Sequence, residues 1–480
     1  RRQRATRLHL GPDEVLGVAA ERLRALQLLG ADSEISPTII ALPSTEAVSR
    51  DTARAEIIRG RVESLGAVTA AEVALPLRRS VGEVRQALLR LEQEGFVIQG
   101  LFYPGQADTQ WCERGLLARI HRYTLKQLRS EIEPVSPASF MRFLFNWQGL
   151  GEPAEGIAAL ERVMLQLEGV SVPAGSWEEE ILPARLQPYF SSDLDELCSS
   201  GKLTWLRLNP PVATENKRCN PAIRTTPLAF IFRPHLTVWY QQQQGLPGDE
   251  GSSAHKVLEV LHQWGASFFD ELQQQTGLLK TQLEIALGEL VALGLVNSDQ
   301  FQGLRALIAP QRKRQRNRRR GLPRTPLAAG GRWSLVRPAL HKGSQQQRAE
   351  HIARTLLSRY GVVFRKLLQR EQALPSWRDL LYVLRRLEAR GEIRGGRFVQ
   401  GFAGEQFALP EAVSQLRAIR RQSPGQLVTI SSADPLNLTG LITPGKRITP
   451  RAGHRILYKD GEPVATSQGG EVEIDDNIAA

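Results

Sequence analysis

The chain has 480 residues, with 62 Lys or Arg against 50 Asp or Glu, a formal net charge of +12. That length and an apolar share of 41% supply several buried cores and exclude a disordered chain. The cationic excess suits a polyanionic partner, and three widely separated cysteines with no CxxC argue against a disulfide framework or zinc module and fit a reducing cytoplasm. No apolar run approaches the roughly 18 residues of a membrane span, so no membrane partner is expected. Nothing near Arg1 looks like a signal peptide, and a start without Met leads us to expect a piece of a longer polypeptide.

In chain order, residues 1–50 read as a helical segment with no recognisable unit. A repeat follows. Ala87 to Val97 reads ALLRLEQEGFV, Ala286 to Val296 reads ALGELVALGLV, and Val383 to Ile393 reads VLRRLEARGEI. A looser copy, DLDELCSSGKL, spans Asp193 to Leu203. Each is the end of an amphipathic helix, a glycine able to take positive φ, and the start of a strand. Two more helices precede each good copy: Arg54 to Leu65 and one capped by Thr69 with Glu72; His255 to Trp264 and Phe268 to Gln275; Ala349 to Tyr360 and Val363 to Gln369. Three helices and a strand pair make the winged-helix form of the helix-turn-helix.

The expected fold is mainly α with small β: winged helices at 51–108, 136–240, 253–310 and 331–422, then a small C-terminal β-barrel at 423–480. Short strands LVTI, LTGLI, RILY and PVAT, with a hairpin turn at Lys459-Asp460-Gly461-Glu462, build that last region. Gln241 to Ser253 reads as a flexible linker and residues 209–225 as a loop inside a hairpin.

Between the first two units, residues 109–135 read as a basic linking helix. Leu117, Ile120, Thr124, Leu125, Leu128 and Ile132 fall on one side, and Arg119, Arg122, Lys126 and Arg129 on the other. Those four cations are either phosphate ligands or a solvated face. Pro134 and Pro137 stop this helix before a second apolar run, Phe140 to Trp147. The densest charge block, Arg312 to Arg324 (RKRQRNRRRGLPR), lies in a predicted linker at 311–330. Its Arg312, Lys313, Arg314, Arg316, Arg318, Arg319 and Arg320 repel one another, as in a mobile arm that grips phosphates without sequence preference, or in a solvated linker.

Catalytic motifs are sparse. GLITPGKR at Gly440 to Arg447 nearly matches a phosphate loop, but Arg447 replaces the magnesium-binding hydroxyl and no helix is expected after it. The eight histidines show no ligand spacing, and no metal site is expected. Asp434, before Pro435 in SSADPLNL, reads either as an Asx-type turn or as a carboxylate facing an extruded nucleotide and stabilising an oxocarbenium-like sugar. Glu405 and Gln406 in GFAGEQFAL form a second polar pair, and Asp475 with Asp476 a third. Trp111 and Trp147 read as packing residues in preference to base-stacking ones.

The run TQWCERGLLARIHRYTLKQLRSEIEPVSPASFMRFLFNWQ, followed by WEEEILPARL, DELCSSGKLTWLRL, GGRFVQGFAGEQFALPEAV and SADPLNLTGLITPG, resembles the C-terminal region of the bacterial large helicase-related (Lhr) proteins from about Ala55 onward. The resemblance implies an accessory half that follows an ATP-dependent 3'-5' DNA helicase core. ATP and magnesium belong to that core, and no cofactor is expected in this chain. DNA, single-stranded or in an RNA:DNA hybrid, and the core itself are the implied partners, in the bacterial cytoplasm and nucleoid. Asp434-Pro435-Leu436 and AGHRILYKDGEPVA are also similar to AlkZ-type DNA glycosylases, although the paired-glutamine catalytic motif of those enzymes has no assignable position. Three readings follow: a DNA-binding repair module, a glycosylase acting on uracil or another damaged base, and a self-associating scaffold.

Overall fold

The structure, a computed structural model, describes residues 5–9, 15–20, 23–28, 34–36, 38, 49–103, 105–130, 133–210, 223–240, 251–308, 330–337, 344–423, 425–469 and 471–474. It divides into two compact units, Arg1–Leu128 and Arg129–Ala480. No helix among the described residues is long and apolar enough to cross a membrane.

The four sequence copies become four winged-helix modules. The first comprises helices Arg50–Val62, Ala70–Leu77 and Val81–Gln93, with strands Val68–Thr69, Val97–Gly100 and Gln110–Glu113. Thr69 and Ser80 open its second and third helices with complete capping boxes, each satisfying two of the amides left unpaired at a helix start. The second module runs from helix Ile157–Gln166 to strand Pro227–Phe232, the third from helix Ser253–Trp264 to strand Arg332–Leu335, and the fourth from helix Gln345–Tyr360 to strand Gln406–Ala408. In all four, the strand latest in the chain lies in the middle of a three-stranded antiparallel sheet. The glycine closing each third helix takes positive φ: Gly95 at 72°, Gly201 at 78°, Gly294 at 70° and Gly391 at 76°. A side chain there would be strained, which is why glycine recurs at that step.

Four expectations are revised. The described residues of 1–50 hold a three-stranded antiparallel sheet (Ala5–His9, Val15–Ala19, Glu34–Ser36) and a short helix, Leu23–Leu28. Gly11 and Pro12 separate a pair of runs too short for a helix but long enough to form a ladder. Second, Gln110–Glu113 is the central strand of the first module, so the linking helix begins only at Arg114 and runs to Ser130. Third, the 312–324 basic block does not join two modules. Its residues lie outside those described, but strands Val296–Ser298 and Arg332–Leu335 on either side of it in the chain pair with each other within the third module. Fourth, strands Leu427–Ser431, Arg455–Lys459, Glu462–Gln468 and Glu471–Ile474 form an open meander, not a barrel. The last of these is exposed throughout, with Val472 and Ile474 both 64% exposed, so among the described residues nothing pairs it back to the first.

Packing joins these pieces in the second unit. The helix Pro137–Trp147 buries Phe140, Met141, Phe143, Leu144 and Phe145 against the fourth module and the C-terminal sheet. Phe145 meets Tyr458 edge-on at 5.1 Å, and Phe140 lies 5.9 Å from Phe364. The second and third modules share another core, in which Trp205 stands edge-on to Trp333 at 6.3 Å.

The first and fourth wings are held by the same device. Gln406 is 0% exposed, and its Oε1 accepts the amides of Phe398 and Val399, both at 2.9 Å. Gln110 accepts those of Phe102 at 2.8 Å and Tyr103 at 3.0 Å. Both glutamines start the return strand, opposite Gly396 and Gly100. Gln406→Ala should leave two buried N–H groups without acceptors, at about 1–3 kcal/mol each. Hydrogen exchange at Phe398 and Val399 should then accelerate strongly, and exchange as slow as in the parent chain would show that the glutamine does not hold the wing.

Candidate nucleic-acid interface

A winged helix meets nucleic acid with the outer face of its third helix and with its wing. In the fourth module that helix is Trp377–Ala389, opened by Ser376, whose Oγ accepts the Asp379 amide at 3.2 Å. Leu380, Val383, Leu384 and Leu387 face inward, while Arg378, Tyr382, Arg385 and Arg386 are exposed. Tyr382 is 59% exposed and the Arg386 guanidinium lies 5.9 Å from its ring centre. Arg394 and Arg397 add exposed cations on the wing. The arrangement offers planar cations for phosphates beside a ring that can stack on a base.

The first module presents Arg85, Gln86, Leu89 and Arg90 from helix Val81–Gln93. The third module differs. Its helix Lys280–Ala292 exposes Thr281, Gln282 and Ile285, the last by 59%, with Glu284 and Glu289 half-buried beside them. That face carries few cations.

The cations of the linking helix do not act as one row. Arg119 and Arg122 are exposed, with Arg122 Nε donating to the Ala118 carbonyl at 3.2 Å. The Lys126 side chain lies outside the described residues. Arg129 instead forks onto Glu388 at 2.8 and 2.5 Å and reaches Glu405 at 3.6 Å. Its guanidinium pKa is raised, chiefly by the hydrogen bond to Glu388. Nor is the apolar side buried as expected: Leu117 is half-buried, while Ile120 is 43% exposed and Thr124 is exposed too. Arg312, Lys313, Arg314, Arg316, Arg318, Arg319 and Arg320 all lie outside the described residues, as do Asp475 and Asp476.

The three carboxyl and amide candidates of the fourth module and C-terminal sheet are spoken for. Glu405 takes Arg385 at 2.7 Å besides Arg129, and Gln406 holds the wing. Asp434 is 1% exposed and accepts a forked pair of bonds from the buried Arg185, at 2.7 and 3.0 Å. Its Oδ1 also accepts the Leu436 amide at 2.9 Å, the Asx-type turn. Arg185 in turn donates to Gln148 at 2.7 Å, a partner no local pattern in the sequence reveals. Asp434→Ala should leave the Arg185 charge buried and unpaired, at about 3–5 kcal/mol. Denaturant titration should show that loss, and an unchanged midpoint would mean the carboxylate carries no structural role.

Comparison with known proteins agrees with this layout. Residues 135–224 and 342–428 each match a family model described as a large helicase-related protein winged-helix domain. The chain is 29% identical over 458 residues to a Mycolicibacterium smegmatis protein named "Lhr helicase/ probable uracil glycosylase", covering 90% of this chain and 29% of the relative. It is 27% identical over 454 residues to an Escherichia coli protein named "Lhr helicase/uracil glycosylase", covering 84% of this chain and 28% of that relative. The chain thus spans under a third of the length of these relatives. With four winged helices in its fold and large helicase-related models matching two of them, the chain is an Lhr-like region.

Proposed function

We propose that the chain is the DNA-binding accessory region of an Lhr-type repair helicase, gripping single-stranded DNA or an RNA:DNA hybrid while the ATP- and magnesium-dependent core lies elsewhere in the polypeptide. The observation that carries this reading is the outer face of the fourth module, where Arg378, Tyr382, Arg385 and Arg386 on the third helix join Arg394 and Arg397 on the wing. The cationic composition of 312–324, carried in the chain between two paired strands of the third module, supports it. Binding by phosphate neutralisation has a signature, a linear fall of log K with log salt at about 0.7 per contact for single strands. Arg378→Gln with Arg386→Gln should weaken binding to a labelled single-stranded oligonucleotide several-fold and flatten the salt slope by about 1.4, two contacts' worth. Fluorescence anisotropy across a salt series measures both, and an unchanged slope would remove this face from the interface.

Base excision is the second reading, favoured by the names of both relatives. The bidentate pairing of Asp434 with Arg185 leaves that carboxylate poorly placed to act on a flipped sugar. Incubation with uracil-containing single-stranded DNA, then alkali, should yield strand breaks that persist in Asp434→Asn at a temperature where the variant stays folded. Breaks abolished by that substitution would return Asp434 to the reaction.

A further inference from the structure

The second and fourth modules meet at a group of side chains drawn from three separate elements. Glu168 lies just beyond helix Ile157–Gln166, His235 ends the short turn Arg233–His235 after strand Pro227–Phe232, and His351 stands in the second turn of helix Gln345–Tyr360. His235 Nδ1 lies 2.9 and 3.1 Å from the two carboxylate oxygens of Glu168, and His351 Nε2 lies 3.4 Å from the second. The two imidazole rings are 4.1 Å apart, and one donor atom from each of the three residues falls within 4.8 Å of the others.

We infer that Glu168, His235 and His351 form a binding site for a first-row divalent metal ion, zinc foremost. Metal–ligand bonds of about 2.0–2.1 Å place neighbouring donors of a tetrahedral site about 3.3 Å apart. With Glu168 Oε2 as the ligand atom, its separations of 3.1 Å from His235 Nδ1 and 3.4 Å from His351 Nε2 bracket that edge. Two imidazoles and one carboxylate suit zinc, iron, cobalt or nickel and do not suit calcium or magnesium, which take mainly oxygen.

The carboxylate is aimed by its surroundings. Glu168 is 2% exposed, and its Oε1 accepts the Phe232 amide at 2.9 Å, while the buried Arg359 donates to its carbonyl. At the next residue, Gly169, a Cβ would lie 2.5 Å from the Trp239 ring, so the turn that presents Glu168 admits no larger residue. The histidine side chains are 32% and 26% exposed, which leaves water able to complete the coordination sphere. An ion held there ties His351 of the fourth module to Glu168 and His235 of the second, 183 and 67 residues apart in sequence from the carboxylate for His351 and His235 respectively.

The test uses the whole 480-residue chain without an affinity tag, stripped with chelator and titrated with cobalt(II), then with zinc. We expect one equivalent of cobalt with visible d–d bands that zinc displaces, and a melting midpoint raised by zinc and lowered again by chelator. His351→Ala and His235→Ala should each weaken cobalt binding by more than about tenfold, since even changes behind the ligands of metal sites cost about 10–100-fold. His454→Ala, away from the cluster, should bind as the parent does. Substoichiometric metal, or binding undiminished in His351→Ala while circular dichroism shows a folded chain, would overturn the site and leave a carboxylate bridging two imidazoles by hydrogen bonds alone.

Discussion

Each module depends on a strand that arrives last and must enter the middle of its sheet. The strand before the second helix and the strand after the third are set by the helices they adjoin, and neither has a partner until the final strand pairs with both. An unpaired buried backbone group is costly, so this closure is obligatory wherever the helices form. The stretch between the third helix's strand and the final strand can therefore vary in length without disturbing that pairing. In the first and fourth modules the wing is short and held by a buried glutamine. In the second and third the stretch is much longer, and it includes the densest run of positive charge in the protein. Variation among the modules concentrates where it leaves the closure untouched.

A second constraint acts where the second module, the fourth module and the C-terminal sheet meet. Arg185 with Asp434, and Arg359 with Glu371, are pairs with both partners almost fully buried. Burial and the neighbouring Glu371 also hold the Tyr360 hydroxyl well above its usual range. Desolvating such pairs costs about as much as their attraction returns, so their contribution lies less in net stability than in admitting one docking geometry. Gln148 ties the two pairs together, accepting from Arg185 and donating to the Arg359 carbonyl at 2.9 Å. Glu168 extends this network. Burial raises its carboxyl, but hydrogen bonds from His235 and His351 outweigh burial and hold it down at about 2.

What the sequence discloses follows from how local each signal is. The helix-end glycines are legible because one backbone conformation demands them at a fixed step from an apolar face. The wing latch is equally legible: Gly100-Leu101-Phe102 through Gln110 and Gly396-Arg397-Phe398 through Gln406 share the same spacing, with Gly105 and Gly401 both at positive φ. Gln406 nonetheless reads as a candidate for chemistry, since a polar residue on a short strand looks alike in either role. Asp434 is ambiguous for a different reason. Its Asx-type turn is local, but its charge partner lies 249 residues away. The Glu168, His235 and His351 cluster has no periodic trace at all, because its members come from three elements that packing alone brings together. Arg129 looks like the fourth cation of a stripe, and only the fold turns it onto Glu388.

Differences among the third helices sharpen the functional reading. A helix that enters a groove between phosphates gains from exposed arginine and loses from carboxylates, which are repelled by the same charges. The fourth module satisfies that demand with Arg378, Arg385 and Arg386 around Tyr382, whereas the third sets Ile285 between Glu284 and Glu289. On the proposed DNA path, then, the fourth module contributes through its helix and the third helix of the third module contributes little. The 312–324 block stands in the chain between two paired strands of a module whose own third helix is poor in cations, as is that of the second module. An arm of that composition can follow a flexible single strand without fixing register, while arginines on a folded helix face, already ordered, hold one position. On the proposed reading, a stretch of that composition and a fixed arginine face would therefore hold phosphates in two different ways.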